Sequence, residues 1–120
     1  MQEKTTIGLQ PNIAGVLCYL VGWITGIIFY FIEKDNQFVR FHAMQSILIF
    51  GFLTVLSIVI SILTGIFLLT PLAFLSAILG LISTLIGLVG LVLWILLMVK
   101  AYQNDSYKLP VFGEIAEKYV

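Results

Sequence analysis

The chain has 120 residues, of which 61% are hydrophobic and 10% charged, with a formal net charge of zero and a mean hydropathy of +1.13. A soluble domain carries about 25% charged residues, and no water-soluble fold of this size hides so much apolar surface. No basic run supplies the electrostatic footprint that nucleic acid requires, so nucleic-acid binding is set aside and an integral protein of the cell membrane is expected, with the lipid bilayer as its first partner.

In chain order, a short polar lead is followed by the apolar stretch from Ile13 to Ile32. About 20 such residues suffice for a helix, rising 1.5 Å per residue, to cross the roughly 30 Å hydrocarbon core. This stretch ends at Glu33-Lys34-Asp35 without a small-residue cleavage site, so it reads as a retained helix and not as a signal peptide. The single cysteine, Cys18, excludes an internal disulfide and a cysteine-cluster metal site, and reads as a small buried residue. Trp23, near the middle of the stretch, needs an acceptor for its indole N–H, such as Thr54 or Ser57. A loop at 33–42 follows. From Phe41 to Val99 there is no Asp, Glu, Lys or Arg. That is too long for one helix, and Thr64-Gly65 with Thr70-Pro71 breaks it into spans at about 44–63 and 75–99. The apolar runs do not alternate, and the chain is too short for an eight-stranded membrane barrel. The expected fold is all-α: one membrane domain, 1–120, of three transmembrane helices in a compact bundle. Its short amphiphilic tail, 100–120, folds back on the membrane surface, with an extended entry at Pro110 and a short helix after Gly113.

Three spans place the 33–42 loop and the tail on one side and the N-terminus on the other. The first side then holds Lys34, Arg40, Lys100, Lys108 and Lys118 and the second only Lys4, so the positive-inside rule predicts a cytoplasmic loop and tail and an external N-terminus. Tyr30, Phe38, Phe41, Trp94 and Tyr102 fall toward the cytoplasmic boundary, as aromatic rings with one polar edge prefer.

Membrane helices associate through close backbone approach, so small residues mark contact faces. Each span has such a stripe: Gly15, Gly22 and Gly26 in the first, Ser57 and Ser61 in the second, and Gly80, Ser83 and Gly87 in the third. They are the candidate packing residues, with Gly22-x-x-x-Gly26 also a candidate for self-association. The most informative polar cluster opens the second span. His42, Gln45 and Ser46 stand at i, i+3 and i+4, so they share one helix face, directed either into the bundle or toward a partner. With Arg40, which reaches lipid phosphates or pairs with Glu33 or Asp35, they form the candidate interaction face. No ionisable residue lies within the spans, and no phosphate loop, metal-ligand pair or triad set is present. No catalytic, cofactor-binding or metal residue is expected, and the chain reads as a non-enzyme. Two readings follow: a scaffold or accessory subunit with a membrane-protein partner, or a homo-oligomeric channel or transporter lined by Ser57, Ser61, Ser83 and Thr84.

Asn12-Ile13-Ala14-Gly15, Cys18-Tyr19, Gly22-Trp23-Ile24-Thr25-Gly26, Phe31-Ile32-Glu33-Lys34, Phe38-Val39-Arg40-Phe41-His42-Ala43-Met44-Gln45-Ser46, Trp94, Lys100-Ala101-Tyr102 and Lys108-Leu109-Pro110 together resemble a family of small, uncharacterised prokaryotic membrane proteins grouped with the Tic-type component of the chloroplast inner-envelope protein translocon. The resemblance runs from Asn12 to about Lys118, and its Arg-Phe-His-Ala-x-Gln-Ser core is the most specific part. It implies a helical membrane fold and a translocon-component-like role without catalytic residues. The chloroplast members have four helices where this chain is read with three.

Overall fold

The computed structural model describes residues 5–120. Among these, five helices form a rod of 61 × 23 × 22 Å. α1 (Pro11–Leu20) begins with proline at its first position, where the missing N–H costs nothing. α2 spans Trp23–Ile32, and α3, Gln37–Leu68, is capped by Asn36, whose side-chain oxygen accepts the Val39 N–H at 3.1 Å. α4 is Phe74–Tyr102 and α5 Phe112–Lys118. With 32 and 29 residues, α3 and α4 are long and apolar enough to cross a membrane. At 1.5 Å per residue they reach roughly 48 and 44 Å.

The expected first span, 13–32, is not one helix. Val21 and Gly22 interrupt it, with Gly22 at φ +62° and ψ −134°, a backbone region that essentially only glycine enters. The chain then folds back. Ala14 and Cys18 of α1 pack in one cluster with Phe29 and Tyr30 of α2, and Thr6, just before α1, donates its backbone N–H to Glu33 Oε1, just after α2, at 2.7 Å. A straight helix over the same residues would hold these ends roughly 30 Å apart. α1 and α2 are therefore an antiparallel hairpin of two ten-residue helices, each roughly 15 Å long. This corrects the three-span compact bundle. Two long helices are present, and the hairpin lies beside one half of them.

The same contact corrects the placement of the N-terminus opposite the loop and tail. Thr5 and Thr6 lie at the end that holds Glu33, Asp35 and the close of α4, where Asn12 donates to the Tyr102 carbonyl. Lys4, on which that placement rested, is outside the described residues.

The tail is docked and not spread on a surface. Leu109 is buried with Tyr19, Ile49, Leu97 and Ala101, and Phe112 packs on Phe52 of α3. α5 then runs back until the Tyr119 carbonyl accepts the Tyr30 hydroxyl. The reversal is tight: Val111 sits at φ +68° and ψ −58°, and the Phe112 N–H reaches the Pro110 carbonyl at 2.7 Å, a γ-turn. A β-branched residue is strained there. Because the Val111 side chain is 62% exposed, little packing opposes its removal. Val111→Gly is expected to stabilise by about 1 kcal/mol, read as a rise of a few degrees in the thermal midpoint of the detergent-solubilised protein.

Candidate functional site

The polar face that opens α3 points inward. His42, Gln45 and Ser46 are each 0% exposed, and each holds a different part of the chain. Burial of polar groups is tolerated only when their hydrogen bonds are made, and here they are. His42 Nε2 lies 3.0 Å from the Asp105 carbonyl, which can only accept, so Nε2 carries the proton. His42 Nδ1 is then the acceptor for the Tyr19 hydroxyl at 2.7 Å. Gln45 donates from Nε2 to the Tyr19 oxygen at 3.0 Å and to the Tyr107 carbonyl at 2.9 Å, while its Oε1 accepts the Leu109 N–H at 2.9 Å. Every donor direction in this chain of bonds is fixed by its neighbours. The result is a clasp in which α3 binds the hairpin through Tyr19 and the tail through Asp105, Tyr107 and Leu109.

Ser46 serves the hairpin turn. Its hydroxyl donates to the Gly22 carbonyl at 2.8 Å. Trp94 of α4 donates its indole N–H to the Tyr19 carbonyl at 2.6 Å, and Thr25 donates to the Cys18 carbonyl at 3.1 Å. The break between α1 and α2 leaves backbone carbonyls that need donors, and these three side chains supply them. Trp23, expected to bond Thr54 or Ser57, instead lines a groove beside the turn, and Thr54 donates to the Phe50 carbonyl of its own helix. Cys18 is buried, its thiol 3.7 Å from the Val39 carbonyl.

Arg40 is the member of the predicted face that stands apart. Its Nη1 donates to the carbonyls of Tyr30 and Glu33, both at 2.8 Å, and its guanidinium lies 4.2 Å from the Tyr30 ring centroid. It thus ties the end of α2 to α3 through backbone and not through a carboxylate. Beside it the Glu33 carboxylate, fully buried, receives the Thr6 backbone N–H and hydroxyl, both at 2.7 Å, and the N–H groups of Asp35 and Asn36. Burial pushes this carboxyl upward, but the hydrogen bonds outweigh it and hold the group below its ordinary range. A carboxylate depressed in the folded state stabilises above its unfolded pKa, and that contribution disappears as pH falls through the folded value. The thermal midpoint is therefore expected to drop on acidification below about pH 4, and Glu33→Gln should flatten that drop while lowering stability at neutral pH.

The predicted small-residue stripes divide. A Cβ on Gly15 would meet Phe38 Cε1 at 3.1 Å and Ala101 Cβ at 3.2 Å, and one on Gly26 would meet the Ala43 carbonyl oxygen at 2.9 Å, so both mark true close approaches. Gly22 makes the turn. Gly80 and Gly87 have nothing within 4 Å of an added Cβ, so these two are not contact points. Ser83 is half-buried, and Ser57 and Ser61 are exposed in the groove. That groove, about 730 Å³, lies between α3 and α4 beyond the hairpin turn. The residues that sequence reasoning missed are Tyr19 as hub of the clasp and Asp105 to Leu109 as its far side. A tyrosine beside a helix-breaking glycine, facing a His-x-x-Gln-Ser helix start, was the available signal.

The chain matches the family model for magnetosome magnetite crystal formation proteins over residues 3–116. It is 47% identical to a UPF0132 membrane protein of Methanocaldococcus jannaschii over 97% of this chain and 94% of that one. A second membrane protein of that name from the same organism is 44% identical over 94% of this chain and 72% of its own length. One from Archaeoglobus fulgidus is 42% identical over 93% and 97%. No solved structure matches the chain significantly. With two long apolar helices, relatives that are membrane proteins and a match over nearly its whole length, the chain belongs to the magnetosome magnetite crystal formation protein family.

Proposed function

We propose that the chain is a non-enzymatic, multi-pass scaffold or accessory subunit of the cell membrane. In this reading α3 and α4 cross the bilayer, and the α1–α2 hairpin enters from the cytoplasmic side and returns to it. The observation that carries the reading is the clasp: the side chains with chemical potential, His42, Gln45 and Tyr19, are consumed in holding hairpin, α3 and tail together. What remains outward is apolar helix surface and one charged end, the surface of a protein that binds in the membrane plane. Lys34, Arg40, Lys100, Lys108 and Lys118 belong to that charged end, while the opposite turn, from Thr64 to Phe74, has no charged residue. The asymmetry supports a cytoplasmic placement of both chain ends. The family description concerns magnetite crystal formation, and what we carry from it to this chain is the membrane fold alone. A translocon-component-like role is the finer form of the same proposal.

The test is topology followed by partners. Reporter fusions at either end are expected to report a cytoplasmic location, and a reporter at Leu69 the opposite one. A periplasmic or external N-terminal reporter would sink the hairpin arrangement. Mild extraction with native mass determination should then give a stoichiometric protein partner. A defined homo-oligomer conducting a flux would favour the second reading, a channel, for which the exposed hydroxyls of Ser57 and Ser61 in the groove speak.

A further inference from the structure

The hairpin stops halfway along α3. Gly22 at its turn faces Phe50, Phe112 of the tail packs on Phe52, and α3 runs on to Leu68. Below the turn an open groove of about 730 Å³ lies between the two long helices, lined by Trp23, Trp94, Ser57, Ser61, Ile86 and Gly87 among others. We propose that this groove is a binding site for one lipid acyl chain, inserted from the leaflet opposite the charged end. The proposal rests on α3 and α4 crossing the bilayer as described above.

Two features of the groove select that occupant. It runs along α3 from Phe50 to Ile62, roughly 18 Å at 1.5 Å per residue, which matches the roughly 15 Å depth of one leaflet. Neither its lining nor the turn at its open end contains a charged residue, so it is complementary to an uncharged chain and offers a headgroup no ionic partner. An apolar space open sideways to hydrocarbon does not stay empty, because its lining would lose dispersion contacts on one side.

The chain has two tryptophans, and both line the groove. Intact protein purified in detergent is titrated with phosphatidylcholine brominated at mid-chain, and tryptophan emission is recorded. The expected result is quenching that saturates near one lipid per chain, is lost in Gly87→Phe and Ser61→Phe, and is retained in Leu81→Phe, an exposed position outside the lining. Thermal melts establish that each variant is folded. Quenching that rises linearly with lipid and is equal in all four proteins would overturn the site. So would a disulfide-linked dimer formed by Ser61→Cys, which would make the occupant a second copy of this chain. Carbonate extraction of the membranes separates the two levels: release of the chain would overturn the membrane-spanning reading itself, whereas retention with linear quenching overturns the groove alone.

Discussion

Gln45→Leu is expected to destabilise the protein by about 3–5 kcal/mol, since a buried polar group left without its partner costs about 1–3 kcal/mol. Leucine approximates the volume of glutamine but offers no hydrogen bond. The Tyr107 carbonyl and the Leu109 N–H would each be stranded, and Tyr19 would keep only its bond to His42. Because the two stranded groups lie in the tail, the loss is directional. The segment from Asp105 onward should detach before the helices separate, exposing Lys108 to trypsin in folded protein. Two readouts are therefore expected: a thermal midpoint lowered by many degrees, and a new early cleavage that removes α5. An unchanged midpoint with a protected tail would mean that the clasp does not hold the tail.

Gly26→Leu should be comparably damaging for an opposite reason. Its Cβ alone would come within 2.9 Å of the Ala43 carbonyl oxygen, 3.1 Å of Ser46 Cβ and 3.2 Å of Ile47 Cγ1. The first of these is main chain in the middle of a helix and cannot swing aside, so α2 must lift off α3. Overpacking of this kind costs about 3 kcal/mol or more. The contrast is Gly87→Ala, where the new methyl meets nothing within 4 Å. There the better helix propensity of alanine should stabilise by about 0.5–1 kcal/mol. Thermal midpoints of the two variants, measured side by side, check whether Gly26 is a packing point and Gly87 is not. A similar fall in both would refute that division.

The two long helices were legible in the sequence because 59 consecutive residues without a charge, Phe41 to Val99, broken only near Thr70-Pro71, read as long apolar helices. The inward face of His42, Gln45 and Ser46 was legible as a face but not in direction, since spacing fixes which side chains are neighbours and not what they meet. The hairpin was hidden by a coincidence of length. Two ten-residue helices joined through a glycine have the same count of apolar residues as one span, and Gly22-x-x-x-Gly26 reads as a helix-contact motif even where its first glycine is a turn. The groups that make the turn affordable, Ser46 and Trp94, lie 24 and 75 residues away from the carbonyls' owners. Local pattern does not reach that far. The tail's docking escaped notice for the same reason: Leu109 and Phe112 look like a surface anchor until Gln45 is seen to bond the backbone at Tyr107 and Leu109.

The hairpin also sets an order for biosynthesis. α1 and α2 leave the ribosome before α3 and α4, yet side chains that quiet the carbonyls of their turn belong to those later helices. Ten-residue helices are too short to be retained as spans on their own, so in the proposed topology the hairpin would wait at the membrane surface until the long pair has been inserted, and then sink into a seat already built. On that topology a ribosome stalled after Arg40 is expected to hold a chain that membranes bind loosely, and one stalled after Tyr102 a chain they no longer release.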